Sequence, residues 1–68
     1  MPKTLSERIQ YAMDKRGITQ ADLARATGMT SSNIAYIVSG KTKDPRLSNV
    51  IAIAKALDVS LSYLAGYK

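Results

Sequence analysis

Gly28 is the residue that most constrains how this chain folds. Before it stand Leu23 and Ala24, and after it Ile34, Ile37 and Val38. Both sets have the three- and four-residue spacing of helices with one apolar face. Between two such segments a glycine is the natural residue for a turn that needs positive φ, because it has no Cβ to clash. Ala24 is small where a second helix must come close, and Thr30 can cap that helix by accepting a backbone N–H two or three residues on. Each sign is weak alone. At these intervals, over Gln20 to Ser39, they predict two short helices joined by a tight turn.

Around that centre the rest of the chain reads as three further helices. Thr4-Leu5-Ser6-Glu7 is a capping box, in which Thr4 caps the N3 amide and Glu7 reaches back to the amide of Thr4. A first helix to about Arg16 follows, with Leu5, Ile9, Ala12 and Met13 on one face. Lys15 and Arg16 complement its dipole and Gly17 ends it. The second helix is predicted over about Gln20 to Ala26, preceded by Thr19 and with Asp22 in its first turn. The turn Thr27-Gly28-Met29 leads to the third helix, Ser31 to Ser39, which Gly40 ends. Pro45 prevents helix at Asp44. The fourth helix, about Leu47 to Leu57, presents Leu47, Val50, Ile51, Ala54 and Leu57 to the core, and Ile53 is the apolar residue that fits that face least. After Asp58, Ser60 caps a short fifth helix through about Ala65 with Leu61 and Leu64 inward, and Gly66 stops it. No repeat or strand pattern is present, Val59 being too isolated to seed a sheet. The expectation is one all-α, compact five-helix domain over residues 1–68.

Composition narrows the chemistry. Sixty-eight residues lie near the lower limit for a core without staples. With no cysteine and no histidine there are no disulfides, and the usual zinc and thiol sites are excluded, which suits a reduced cytoplasmic setting. No apolar run approaches the roughly 20 residues of a membrane span, and no signal-peptide stretch follows Met1-Pro2-Lys3-Thr4. The five acidic residues are scattered and form no paired-carboxylate site, and Ser31 and Ser32 have no histidine to activate them. Gly40-Lys41-Thr42 echoes the tail of a phosphate-binding P-loop but lacks the upstream glycine and strand. The reading is of a non-enzyme with no cofactor and no metal. A net charge of +5 favours an anionic partner, although many small domains are basic without one.

Two short helices joined in this way form a helix-turn-helix, which places its second helix in a DNA major groove. Base edges are then met by the exposed N-terminal part of that helix: Thr30, Ser31, Ser32, Asn33 and Tyr36. The plainer reading of Thr30 to Asn33 is capping and solvated surface. Gln20 opens the second helix, where its amide and the helix N–H groups can face a phosphate, with Thr19, Thr30 and Asn33 as further backbone contacts. Lys41, Lys43 and Arg46 cluster directly after the third helix, either as a solvated linker or as a phosphate-contacting loop.

At Gln20, Leu23, Ala24, Gly28, Ile34 and Ile37, and again through Ser39-Gly40-Lys41-Thr42-Lys43-Asp44-Pro45-Arg46, the chain resembles the lambdoid phage repressor and Cro family. The resemblance runs from about Thr4 to Gly66. It implies a lambda-repressor-like fold and a transcriptional repressor that binds a pseudo-palindromic double-stranded operator as a homodimer. It implies base contacts from Ser31, Ser32 and Tyr36, and an approach of Arg46 to the minor groove, where narrow A·T-rich tracts attract arginine. It also implies dimer contacts from Val59, Leu61, Ser62 and Tyr63, with ordinary helix packing the alternative for Tyr63. Three departures stand out. Met13 and Val38 occupy the sites of an Arg–Glu pair frequent in relatives, Thr27 stands at a usually apolar position, and Asp44 lies where close relatives can carry a cation. An apolar pair replacing a buried ion pair is often neutral or stabilising. The same fold also serves in antitoxins and adaptors, which is the alternative function. The resemblance fits a whole Cro-like protein or the DNA-binding half of a longer repressor.

Overall fold

In the computed structural model, which describes residues 3–66, five helices follow one another. They are α1 (Leu5–Arg16), α2 (Gln20–Thr27), α3 (Ser31–Ser39), α4 (Leu47–Leu57) and α5 (Leu61–Ala65), with no strand among the described residues. The predicted starts and stops hold, except that α2 runs one residue further, to Thr27. Local chemistry explains the precision. Thr4, Thr19, Thr30 and Ser60 each cap a helix, accepting from Glu7, Asp22, Asn33 and Tyr63 N–H respectively. A capped start satisfies one of the orphan amides that every helix end leaves behind.

All five helices contribute to one cluster of buried side chains. Ile9, Leu23, Ile34, Ile53, Leu57 and Leu64 are its fully buried large members. Met13 and Val38 both lie in this cluster, so the apolar exchange at that pair is accommodated as packing. The side-chain amide of Gln10 adds a polar tie, donating to the Val38 carbonyl at 2.6 Å and fastening α1 to the C-terminal end of α3.

The core face of α4 differs from the one the sequence predicts. Ile53 is fully buried, whereas Leu47 is 64% exposed and Ile51 is only half-buried. The buried set is Val50, Ile53, Ala54 and Leu57, an i, i+3, i+4, i+7 stripe. α4 packs against α2 on one side and α1 and α5 on another, so the buried arc turns toward Ile53. Leu47, in the first turn, lies beyond the neighbours' reach. Leu61 likewise is exposed where the sequence places it inward, and only Leu64 of α5 is buried. α4 ends on Asp58 rather than a glycine, with φ of 55°, and Arg16 donates to the Asp58 carbonyl at 3.0 Å. Arg16 therefore braces the end of α4, beyond its expected service to the dipole of α1.

Candidate nucleic-acid interface

α2 and α3 meet at Gly28, whose φ of 75° puts it in the left-handed region. A Cβ added there would meet nothing within 4 Å, so backbone conformation alone demands the glycine. Thr27 does more at this turn than pack a methyl. Its hydroxyl donates to the Leu23 carbonyl at 2.7 Å and accepts from the Met29 N–H at 3.2 Å, lacing the end of α2 to the turn. A hydroxyl can both donate and accept, which no apolar side chain at this site could do.

α3 is divided along its length. Ile34, Ile37 and Val38 are buried, while Ser31, Ser32, Asn33 and Tyr36 are exposed, Tyr36 at 50%. Ser32 and Tyr36 are four residues apart on one helix face, with Ser31 beside them at the start. No side-chain hydrogen bond among the described residues engages Ser31 or Ser32, so both hydroxyls keep their donor and acceptor capacity. Thr30 caps α3 through its oxygen at 3.1 Å from the Asn33 amide, which leaves its O–H proton to donate outward.

The segment after α3 turns back onto it. Gly40 reverses the chain with φ of 87°, and the Thr42 N–H donates to the Tyr36 carbonyl at 3.2 Å. Lys41, Lys43 and Arg46 are all exposed. The sole ion pair among the described residues joins Arg25 to Asp22, so no carboxylate engages these three cations, Asp44 included. Asn33 and Arg46 border one cleft together with Thr42 and Asn49. Asn49 was not singled out by sequence reasoning, because only the folded loop between α3 and α4 brings it to the same cleft as Asn33. Lys43 lies apart from that cleft, beside Thr4 and Ser6 at the start of α1. Gln20 borders a separate depression with Gln10, Asp14 and Ser39.

The start of α2 is more self-contained than a phosphate site requires. Thr19 accepts from the Asp22 N–H at 3.1 Å, and the Asp22 carboxylate in turn accepts from the Thr19 N–H at 3.0 Å. These bonds from Thr19, backbone first, together with Arg25, hold the Asp22 carboxyl below its usual range. A negative charge therefore already sits where a phosphate at Thr19 and Gln20 would approach. α3 and α4 have no acid in their first turns, and α4 begins at Arg46 with no side-chain cap.

The four residues expected at a dimer contact divide between two faces. Val59 and Tyr63 pack against the core and border a groove with Tyr11, Lys15 and Arg16. Leu61 and Ser62 border the opposite groove, with Leu47, Arg46 and Arg8.

The Helix-turn-helix family model matches residues 9–64. The chain belongs to this family. Its fold is that of the lambdoid repressors: the solution structure of the P22 c2 repressor DNA-binding domain superposes with a TM-score of 0.85 at 31% identity, covering 96% of this chain and 84% of that one. The crystal structure of the P22 c2 repressor in complex with synthetic operator 9T gives a TM-score of 0.80 at 32% identity, covering 91% of this chain and 92% of that one. Among curated helix-turn-helix relatives, the HTH-type transcriptional regulators for conjugative elements R391 of Providencia rettgeri and SXT of Vibrio cholerae are each 43% identical over 63 residues, 93% of this chain. This helix-turn-helix chain spans 28% of the length of those two regulators.

Proposed function

We propose that residues 1–68 form a single DNA-binding domain that regulates transcription, with its helix-turn-helix at 20–39 engaging a double-stranded operator and α3 lying in the major groove. The observation that carries this reading is the division of α3 into a buried apolar face and an exposed polar one, followed at once by three cations that no carboxylate among the described residues engages. Ser31, Ser32 and Tyr36 read base edges. Thr30, Asn33, Lys41, Lys43 and Arg46 hold the backbone, and Thr19 and Gln20 make a weaker contact because Asp22 stands beside them. Two copies occupy the halves of a pseudo-palindrome, which raises affinity through effective concentration. The P22 c2 repressor, a structural neighbour, is one whose complex with an operator has been solved. At the dimer contact, exposed Leu61 and Ser62, flanked by Leu47, are the primary residues, and Val59 and Tyr63 support them from the core. Repression in the bacterial cytoplasm, at the nucleoid, follows from a DNA partner and needs neither cofactor nor catalysis.

The test replaces Ser31, Ser32 and Tyr36 together by alanine and compares site preferences on a randomised half-site. Each good base contact is worth on the order of 1–3 kcal/mol of discrimination, so the preference profile changes while non-specific binding and melting temperature stay near the parent's. An unaltered profile removes sequence reading from this face. The absence of a salt-dependent gel shift would instead favour an antitoxin or adaptor module that binds protein.

A further inference from the structure

Among the described residues two lysines stand over tyrosine rings, and the two pairs have different origins. Lys15 lies 5.6 Å from the Tyr11 centroid, four positions along the same helix, where α-helical spacing alone brings them together. Lys41 lies 5.5 Å from the Tyr36 centroid across the end of α3. That contact needs the chain reversal at Gly40 and the Thr42-to-Tyr36 hydrogen bond, which set the first loop residue beside the ring. No carboxylate pairs with Lys41 among the described residues. Half of Tyr36 remains exposed, so the ammonium covers part of the ring and leaves the rest open.

We propose that Lys41 is a specificity-determining positioning residue, whose ammonium holds the Tyr36 ring so that the two side chains read DNA as one unit. The inference rests on the reading of α3 as a base-contacting helix. It gives Lys41 a second task beside the backbone contact, one exerted through the Tyr36 ring. A free tyrosine ring at the end of an exposed helix turn samples several rotamers, and only a subset presents its edge to a base. A cation over one face restricts that sampling and draws the ring toward the loop. Lys41 then acts on sequence preference through Tyr36, whereas a lysine that only meets phosphate weakens all sequences alike.

The experiment has one arm without DNA and one with it. In NMR spectra of the free protein, the Lys41 side-chain methylene protons nearest the ammonium are shifted upfield by the ring current of Tyr36, and Tyr36→Leu abolishes the shift. In selection on a randomised half-site, Lys41→Ala loses preference at the same base positions as Tyr36→Leu. The expected loss is about two- to fivefold, the factor an exposed cation–π contact corresponds to. Lys41→Arg retains the preference, because a guanidinium also stacks on the ring, and the Lys41→Ala/Tyr36→Leu double variant loses no more than Tyr36→Leu alone. Lys41 protons at unshifted positions overturn the inference before DNA is added. A uniform loss across all sites in Lys41→Ala, with the Tyr36-dependent positions intact, overturns it as well. A parent protein that selects no site ends the operator-binding reading and this inference together, whereas a selective parent with an unaltered Lys41→Ala profile ends only the inference.

Discussion

The starts of α2 and α3 are built alike and finish differently. Each is preceded by a threonine whose hydroxyl accepts the N3 amide, at 3.1 Å in both. In α2 the N3 residue is Asp22, whose carboxylate returns the bond and neutralises the positive end of the helix. In α3 it is Asn33, and no carboxylate sits in that turn. One start is therefore closed within the protein, and the other keeps an unreturned N-cap amide and an uncancelled dipole facing outward. A helix end completed by its own acid serves the fold. A helix end left incomplete stays open to an anionic partner.

Asn33→Asp should give the sharpest break, because it makes the start of α3 a copy of the start of α2. The added carboxylate completes a capping box and raises stability by about 0.3–1 kcal/mol. In the proposed complex the same charge would face the DNA backbone beside Arg46, where like-charge juxtaposition costs on the order of several kcal/mol. Affinity should fall more than tenfold while the melting temperature rises, measured by gel shift and calorimetry on one preparation. If both move in the same direction, the two starts do not differ in the way described.

Next in size is the turn that holds the two starts in register. Gly28→Ala should destabilise by about 1–2 kcal/mol, the cost of a left-handed conformation for a residue with a Cβ. Because no atom stands in the way of that Cβ, the loss is backbone strain alone. Chemical denaturation should show it, and Gly28→Asn should recover part of it, since asparagine tolerates this region. An equal loss in the two variants would point to a clash instead.

Removing each cap tests whether the likeness between the starts is energetic as well as geometric. Thr19→Ala and Thr30→Ala should each cost about 1 kcal/mol of stability. Corrected for unfolding, Thr30→Ala should weaken operator binding more than Thr19→Ala, read by titration against a fixed half-site. Equal binding losses would place α2 as close to DNA as α3.

The smallest effect is a pH dependence. Bonds from the Lys3 and Thr4 amides hold the Glu7 carboxyl below its usual range, and those from Thr19 do the same for Asp22. A carboxyl whose folded-state pKa is depressed contributes stability above its unfolded value, about 4.3 for Glu and 3.9 for Asp, and that contribution is lost as pH falls through the folded value. Melting temperature should therefore decline on acidification below about pH 4. Glu7→Gln with Asp22→Asn should flatten the decline, while Thr30→Ala leaves its slope unchanged. Both carboxylates are exposed, so the decline is shallow.

Helix limits were legible in the sequence because they are written locally. Thr4 with Glu7, Thr30 before Ser31, and Gly17, Gly28, Gly40 and Gly66 each act within a few residues of themselves. What a helix buries is decided by its neighbours. The period of α4 fits two overlapping stripes, one including Leu47 and one including Ile53, and only the positions of α2 and α5 select the second. The same holds for the surface. Ser31, Ser32 and Tyr36 are exposed as expected, yet the place of Asn49 in one cleft with Asn33 and of Lys41 over Tyr36 depends on how the loop folds back. The capping box of α2 was half visible, as a threonine and an acid three residues apart. Its bearing on the phosphate contact at Gln20 emerges only when the two bonds are seen to close on each other.

The fastening of α3 by its second half has an evolutionary consequence. Ile34, Ile37 and Val38 are buried, and Gln10 grips the Val38 carbonyl, whereas the side chains of Ser31 and Ser32 make no hydrogen bond among the described residues. The positions that hold the helix and the positions proposed to read DNA are thus different positions. Selection for folding bears on the first set and is nearly blind to the second. A lineage with this architecture can exchange two or three surface residues, acquire a new target, and still inherit the same folded scaffold. Duplicated copies can diverge in what they read without passing through an unfolded ancestor.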